Sequence, residues 1–157
     1  MEVVDPRFNE LTGLVVDTAY QVHVRVGPGL LESVYELVLA KRLEQRGLLV
    51  QRQVPIKIDI DGMQFDEGLR ADLLVTHALN PKISVIIELK SVESVHPVHS
   101  KQVLTYLRLL DLPVGLLLNF GAVTMKEGTK RIINPLASLL RPSNSSPVSE
   151  LAADDQN

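Results

Sequence analysis

Within I83-S-V-I-I-E88-L-K90-S, a run apolar enough to be a buried strand, Glu88 and Lys90 stand on either side of Leu89. Alternation along a strand puts these two charges on one face and Ile87 and Leu89 on the other. A structural salt bridge between Glu88 and Lys90 is the plain alternative to a chemical role. Asp72, in R70-A-D72-L-L-V, adds weight to chemistry, because burying an ionised carboxylate is costly unless it is paired or holds a metal. If the strands around 72 and 88 are neighbours, Asp72 and Glu88 bring hard oxygen donors together, a set that suits Mg2+. Lys90 is then placed to approach an attacking water or a phosphate, and the chemistry expected is metal-assisted phosphodiester hydrolysis. Arg70 shares the face of Asp72.

Two helical stretches offer further polar groups. Helical projection of residues 30 to 46 sets Glu32 and Glu36 in line with Leu39 and Leu43 and beside Tyr35. The two carboxylates either favour the positive N-terminal end of that helix or reach the metal cluster, with Glu32, nearer the glycine turn, the better site candidate. His99, Gln102 and Tyr106 form a polar ribbon at successive helical spacings. For His99 a hydrogen-bond network from helix to sheet is the preferred reading. Gln102 with Tyr106 suits the orienting of water, Lys90 or phosphate through neutral donors and acceptors.

The elements that must position these groups follow from periodicity. Asn9 is read as the cap of a helix over residues 10 to 24, closed by Gly27-Pro28-Gly29, and residues 30 to 46 as a second helix closed by Gly47. From Val50 to Ile60 the period changes to two and predicts a strand, with Pro55 favouring an edge and Asp61-Gly62 a hairpin turn. Residues 69 to 76 and 83 to 91 are two more strands, separated by a turn at Asn80-Pro81. Pro97 opens a helix to Leu110, and residues 114 to 120 form a strand that a βαβ crossover makes parallel to the one carrying Glu88. A short strand near residues 130 to 133 then pairs with 114 to 120, giving a mixed sheet. The S/P/D/N-rich stretch 141–157 is expected to be a flexible polar tail behind a domain of residues 1–140.

Composition bounds the function. With 157 residues and 45% hydrophobic content the chain can bury one core without staples, and it has no cysteine for disulfides or thiolate zinc sites. The N-terminus lacks a secretory pattern, and no apolar run approaches the roughly 20 residues of a membrane span, so a cytoplasmic protein without a membrane partner is expected. A net charge of −3 excludes a broadly basic phosphate binder but not a nuclease, which can use a local basic lip and bound cations.

At this point the residues resemble a known family. G29-L-L-E32-S-V-Y35 is similar to the turn and helix of the small prokaryotic GxxExxY proteins, a group assigned to the PD-(D/E)XK nuclease superfamily. The likeness continues through R70-A-D72-L-L-V, I87-E88-L-K90, H99-S-K-Q102-V-L-T-Y106-L and N119-F-G, and spans residues 10 to 134. It implies an α/β, restriction-endonuclease-like fold with a central mixed sheet flanked by helices. It also implies Mg2+-dependent cleavage of nucleic acid, DNA ahead of RNA, with Mn2+ as a substitute ion. Carried over residue by residue, Asp72 and Glu88 become metal ligands, with Glu32 and the backbone carbonyl of Leu89 as further candidates. Lys90 becomes the catalytic lysine, Glu32 the accessory helix carboxylate, and Gln102 with Tyr106 the helix motif of RecB-like nucleases. Tyr35, Glu36, Arg70 and His99 are auxiliary positions. Arg70-Ala71 stands where the superfamily has its nominal proline, a permissive position. A noncatalytic nucleic-acid or protein-interaction module is the alternative on the same fold, and a bare domain of this size leaves room for a homodimer or a protein partner to complete a groove.

Overall fold

Helix α1 (Pro6–Val26) begins at Pro6 rather than at residue 10. Asp5 is the cap: its carboxylate accepts the Arg7 N–H at 2.9 Å, and Pro6 fits the first helical position, where no N–H is needed. Asn9, expected as the cap, instead accepts a hydrogen bond from Arg131 at 2.6 Å. The helix stops at Gly27, whose φ of 75° is open to glycine and strained for other residues. These features come from a computed structural model, which describes residues 5–66 and 68–140. The expected polar tail lies outside the described residues.

After α1 come α2 (Glu32–Gln45), β1 (Leu49–Pro55), β2 (Ile58–Ile60), β3 (Met63–Phe65), β4 (Arg70–His77) and β5 (Asn80–Lys90). They are followed by α3 (Pro97–Leu110), β6 (Val114–Asn119), α4 (Met125–Gly128), β7 (Thr129–Ile133) and a 3-10 turn (Ser138–Leu140). The strand expected over Val50 to Ile60 is divided. Pro55 ends β1, Ile56 is buried with its N–H bonded to Leu69 O at 2.8 Å, and residues 58–60 join a separate hairpin with β3. Asp61 and Gly62 turn that hairpin with φ of 53° and 78°, both left-handed, as a two-residue type I′ turn requires.

The main sheet has the order β1-β4-β5-β6-β7. The β5–β6 pair, joined through α3, is parallel and the other pairs are antiparallel, so the sheet is mixed as expected. Helices α1 and α2 cover one face, where Leu73, Val75, Ile87, Leu89, Leu116 and Leu118 meet Leu11, Val15, Leu39 and Leu43. Helix α3 covers the other, packing Val103, Tyr106 and Leu107 on Ile86 and Leu117. Each such fully buried aliphatic side chain stabilises the fold by about 1.5–3 kcal/mol, which lets the sheet hold two charged positions on β5. Among the described residues no helix is long and apolar enough to cross a membrane.

Candidate active site

The site is built where two strands part. The β4–β5 ladder pairs Leu73 with Ile87 and goes no further toward Asp72 and Glu88, whereas β5 stays paired with β6 as far as Lys90 and Asn119. In the gap, carboxylates take over from backbone carbonyls. Glu88 Oε1 accepts the Asp72 N–H at 3.2 Å, and Asp72 Oδ2 accepts the Leu89 N–H at 2.8 Å. The two acids are thus pinned between strands by the amides that a longer ladder would have used.

Pinning them has an electrostatic consequence. Glu88 is only 5% exposed. Burial first, and the Asp72 charge second, push its carboxyl up to about 8, against the opposing pull of Lys90. Without a cation the pair therefore keeps a proton at neutral pH. Lys90 is half-buried and has no acidic partner within 4.0 Å among the described residues, so the salt bridge with Glu88 is not formed.

Helix α3 delivers its ribbon to the same place. Tyr106 is buried, and the Gln102 Nε2 donates to its hydroxyl at 2.7 Å across one helical turn. Burial chiefly raises the phenol, with the charges of Glu88 and Asp72 adding to it, so the hydroxyl stands in the field of the acid pair. His99 is half-buried, and its imidazole is lowered by burial and then by Lys90 and His96, with Glu32 opposing. The hydrogen-bond network expected for the His99 side chain does not form among the described residues.

Helix α2 departs from expectation. Glu36, not Glu32, is carried inward: Glu36 is buried, while Glu32 lies exposed in the first helical turn. The inward stripe begins at Tyr35 and Glu36, one turn after the helix starts. Glu36 accepts Arg52 Nε at 3.2 Å and Gln53 Nε2 at 2.9 Å. Tyr35 stacks on Phe120 at 4.4 Å, donates to the Gly27 carbonyl and accepts the Leu30 N–H at 3.3 Å, so it ties down the glycine turn. Ser91 Oγ donates to Leu30 O at 2.6 Å and fixes that turn to the end of β5. Arg70 is exposed, and its Nη1 donates to Gln53 O at 3.4 Å.

Three residues that sequence reasoning gave no role are organisers here. Asn119 is 3% exposed, and its amide meets Val92 N, Val92 O and Gly121 N at 2.9–3.1 Å, clamping the segment after β5. The signal was available: an asparagine closing the apolar run V114-G-L-L-L-N119 and followed by F-G. Arg52 and Gln53 gave none, since they occupy an exposed polar stretch of β1.

Asp72 and Glu88 form a proximate all-oxygen pair whose excess negative charge a divalent cation would offset, so the donor chemistry fits Mg2+ or Mn2+. Glu32 does not complete a triad with them. No group of three or more His, Asp or Glu side chains is arranged to hold a metal among the described residues.

Residues 9–132 match the PD-(D/E)XK nuclease superfamily, and the chain belongs to it. No curated protein matches the chain. Among solved structures it is similar to one described as "Crystal structure of SSO0001", at 23% identity and a TM-score of 0.46, over 87% of this chain and 67% of that one.

Proposed function

We propose that the protein is a Mg2+-dependent nuclease of the GxxExxY type that hydrolyses nucleic-acid phosphodiesters, DNA ahead of RNA. One observation carries the reading. Asp72 and Glu88 are locked side by side at the parting of β4 and β5, and Lys90, with no acidic partner within 4.0 Å among the described residues, stands two positions further along the same strand. The motif order D…ExK…QxxxY supports it.

The Asp72 and Glu88 carboxylates would hold the cation. The Leu89 N–H is aimed at Asp72, and in an extended strand a residue's carbonyl leaves on the same side as its N–H, which makes Leu89 O a fitting third donor. When bound, the cation supplies a Lewis acid for the phosphate and a water of lowered pKa. Glu88 gives up its proton to solvent on loading. Lys90 Nζ stabilises the charge that grows on the phosphoryl oxygens and orients the attacking water. The Tyr106 hydroxyl and the Gln102 amide orient the same groups as neutral donors, and Glu32, exposed at the start of α2, lies at the rim.

Cleavage of single-stranded, duplex and branched DNA and of RNA, with Mg2+ and with Mn2+, tests the reading. Wild type is expected to cut at least one substrate, and Asp72→Asn none. Undiminished cutting by Asp72→Asn would sink the assignment. Binding without cutting by every protein would favour a noncatalytic nucleic-acid module instead.

A further inference from the structure

Gln53 lies in β1 between the ladder pairs Arg52–Leu73 and Val54–Ala71, and so stands across from Asp72. Its backbone is left-handed, with φ of 52°, in the middle of a strand. A side chain with a Cβ disfavours that conformation, which persists only where surrounding contacts over-determine it. Local departures from extended geometry also re-aim side chains, as bulges do beside active sites.

The contacts that hold Gln53 are specific. Its Nε2 lies 2.9 Å from Glu36 Oε2 and 3.4 Å from Asp72 Oδ1. Glu36 is 5% exposed and is held in turn by Arg52 Nε at 3.2 Å. Asp72 thereby receives one donor on each oxygen, Gln53 on Oδ1 and the Leu89 N–H on Oδ2. An amide nitrogen has two hydrogens and can serve both carboxylates at once. It is also neutral. A lysine or arginine in its place would neutralise Asp72 and compete with a cation, whereas an amide orients the carboxylate and leaves its charge intact.

We propose that Gln53, anchored by the buried Glu36, is a positioning residue for the metal-binding carboxylate of Asp72, so that α2 sets the geometry of the site through β1. This rests on the reading that Asp72 holds the cation. Groups that orient a ligand from behind typically change metal affinity by about 10–100-fold when removed.

The test uses the full chain and Mn2+, whose free concentration is read by electron paramagnetic resonance, with Gln53→Asn, Gln53→Gly, Glu36→Gln and Asp72→Asn. Asparagine tolerates the left-handed backbone but is too short to span both acids, and glycine relieves the backbone while removing the bridge. Both changes at Gln53 are expected to weaken Mn2+ binding about tenfold. Unchanged affinity in both, whatever happens to the melting temperature, overturns the proposal, because a merely structural residue would move stability alone. A second readout needs no metal: the melting shifts of Glu36→Gln and Asp72→Asn should be non-additive with Gln53 present and additive in the Gln53→Gly background. Additivity in both backgrounds would also overturn the linkage. If wild type binds no Mn2+ at millimolar ion, the metal reading itself has failed, and the thermal cycle still decides whether Gln53 couples the two acids.

Discussion

Glu88 behaves in this fold like a carboxylic acid held neutral. Its folded value of about 8 lies above its ordinary 4.5, so the folded state binds a proton that the unfolded chain releases between those limits. The stability that goes with this proton is fully present below about 4.5 and is lost as pH rises through about 8. Metal-free protein should therefore melt at progressively lower temperature from about pH 6 to pH 9, and Glu88→Gln, which mimics the protonated form, should flatten that slope. Thermal unfolding across pH in chelator checks it; an equal slope in wild type and variant would refute the assignment to Glu88. Lys90 makes the complementary case. Lys90→Met should reduce single-turnover cleavage about 100-fold or more while leaving Mn2+ affinity near wild type, because in the proposed mechanism the ammonium would act on developing charge and not on the cation.

Among the elements, the end of β5 and the segment after it are held from two sides, by Asn119 on β6 and by the Ser91–Leu30 contact with the α1–α2 turn. Gly121 is packed so closely that an added Cβ would lie 2.3 Å from the Val92 carbonyl oxygen. Gly121→Ala must push the clamped segment away from Asn119, and a loss of about 1–3 kcal/mol is expected, read as a lowered urea midpoint. An unchanged midpoint would mean the clamp yields freely. On α3, Tyr106→Phe removes the hydroxyl that Gln102 serves. Its stability should change by about 1 kcal/mol or less, whereas cleavage should drop with Mn2+ affinity retained. A drop in affinity instead would move Tyr106 from substrate orientation to the metal.

For the whole molecule, the proposed cation site would link metal and pH through the acid pair. A ligand bound only by the folded state at about 100 times its dissociation constant adds about 2.7 kcal/mol, so Mn2+ should raise the melting temperature. Because loading of the proposed site would displace the Glu88 proton, the gain should grow between about pH 6 and pH 8, and Asp72→Asn should abolish it. Calorimetric scans at several pH values, with and without Mn2+, measure this directly; a pH-independent gain would place the ion elsewhere. With a net charge of −3 the protein offers no global attraction to nucleic acid, so the proposed substrate would have to be met by a local site and its cations.

Local periodicity was enough to read the three long helices and the strands carrying Asp72 and Glu88, because burial on one face imposes a period that the sequence must carry, while turn chemistry gave the Asp61-Gly62 hairpin and the crossover rule the parallel β5–β6 pair; the short α4 was read only as a turn. Adjacency of Asp72 and Glu88 was only a condition at the level of sequence, where two ionisable residues interrupting apolar strands call for a partner or a cation, and the β4–β5 pairing met it. What periodicity could not supply was where a ladder stops. The parting of β4 and β5 after Leu73–Ile87 belongs to the tertiary structure, and it turns two carboxylates into substitutes for backbone acceptors. Nor could a helical projection tell Glu36 from Glu32, since both lie on one stripe and only the packing of α2 on α1 and the sheet fixes how far along it burial begins. The left-handed backbone of Gln53 was the least legible of all: it is a residue type without the turn preference of glycine or asparagine, and its contacts there are to Glu36, Arg70 and Asp72, all distant in sequence.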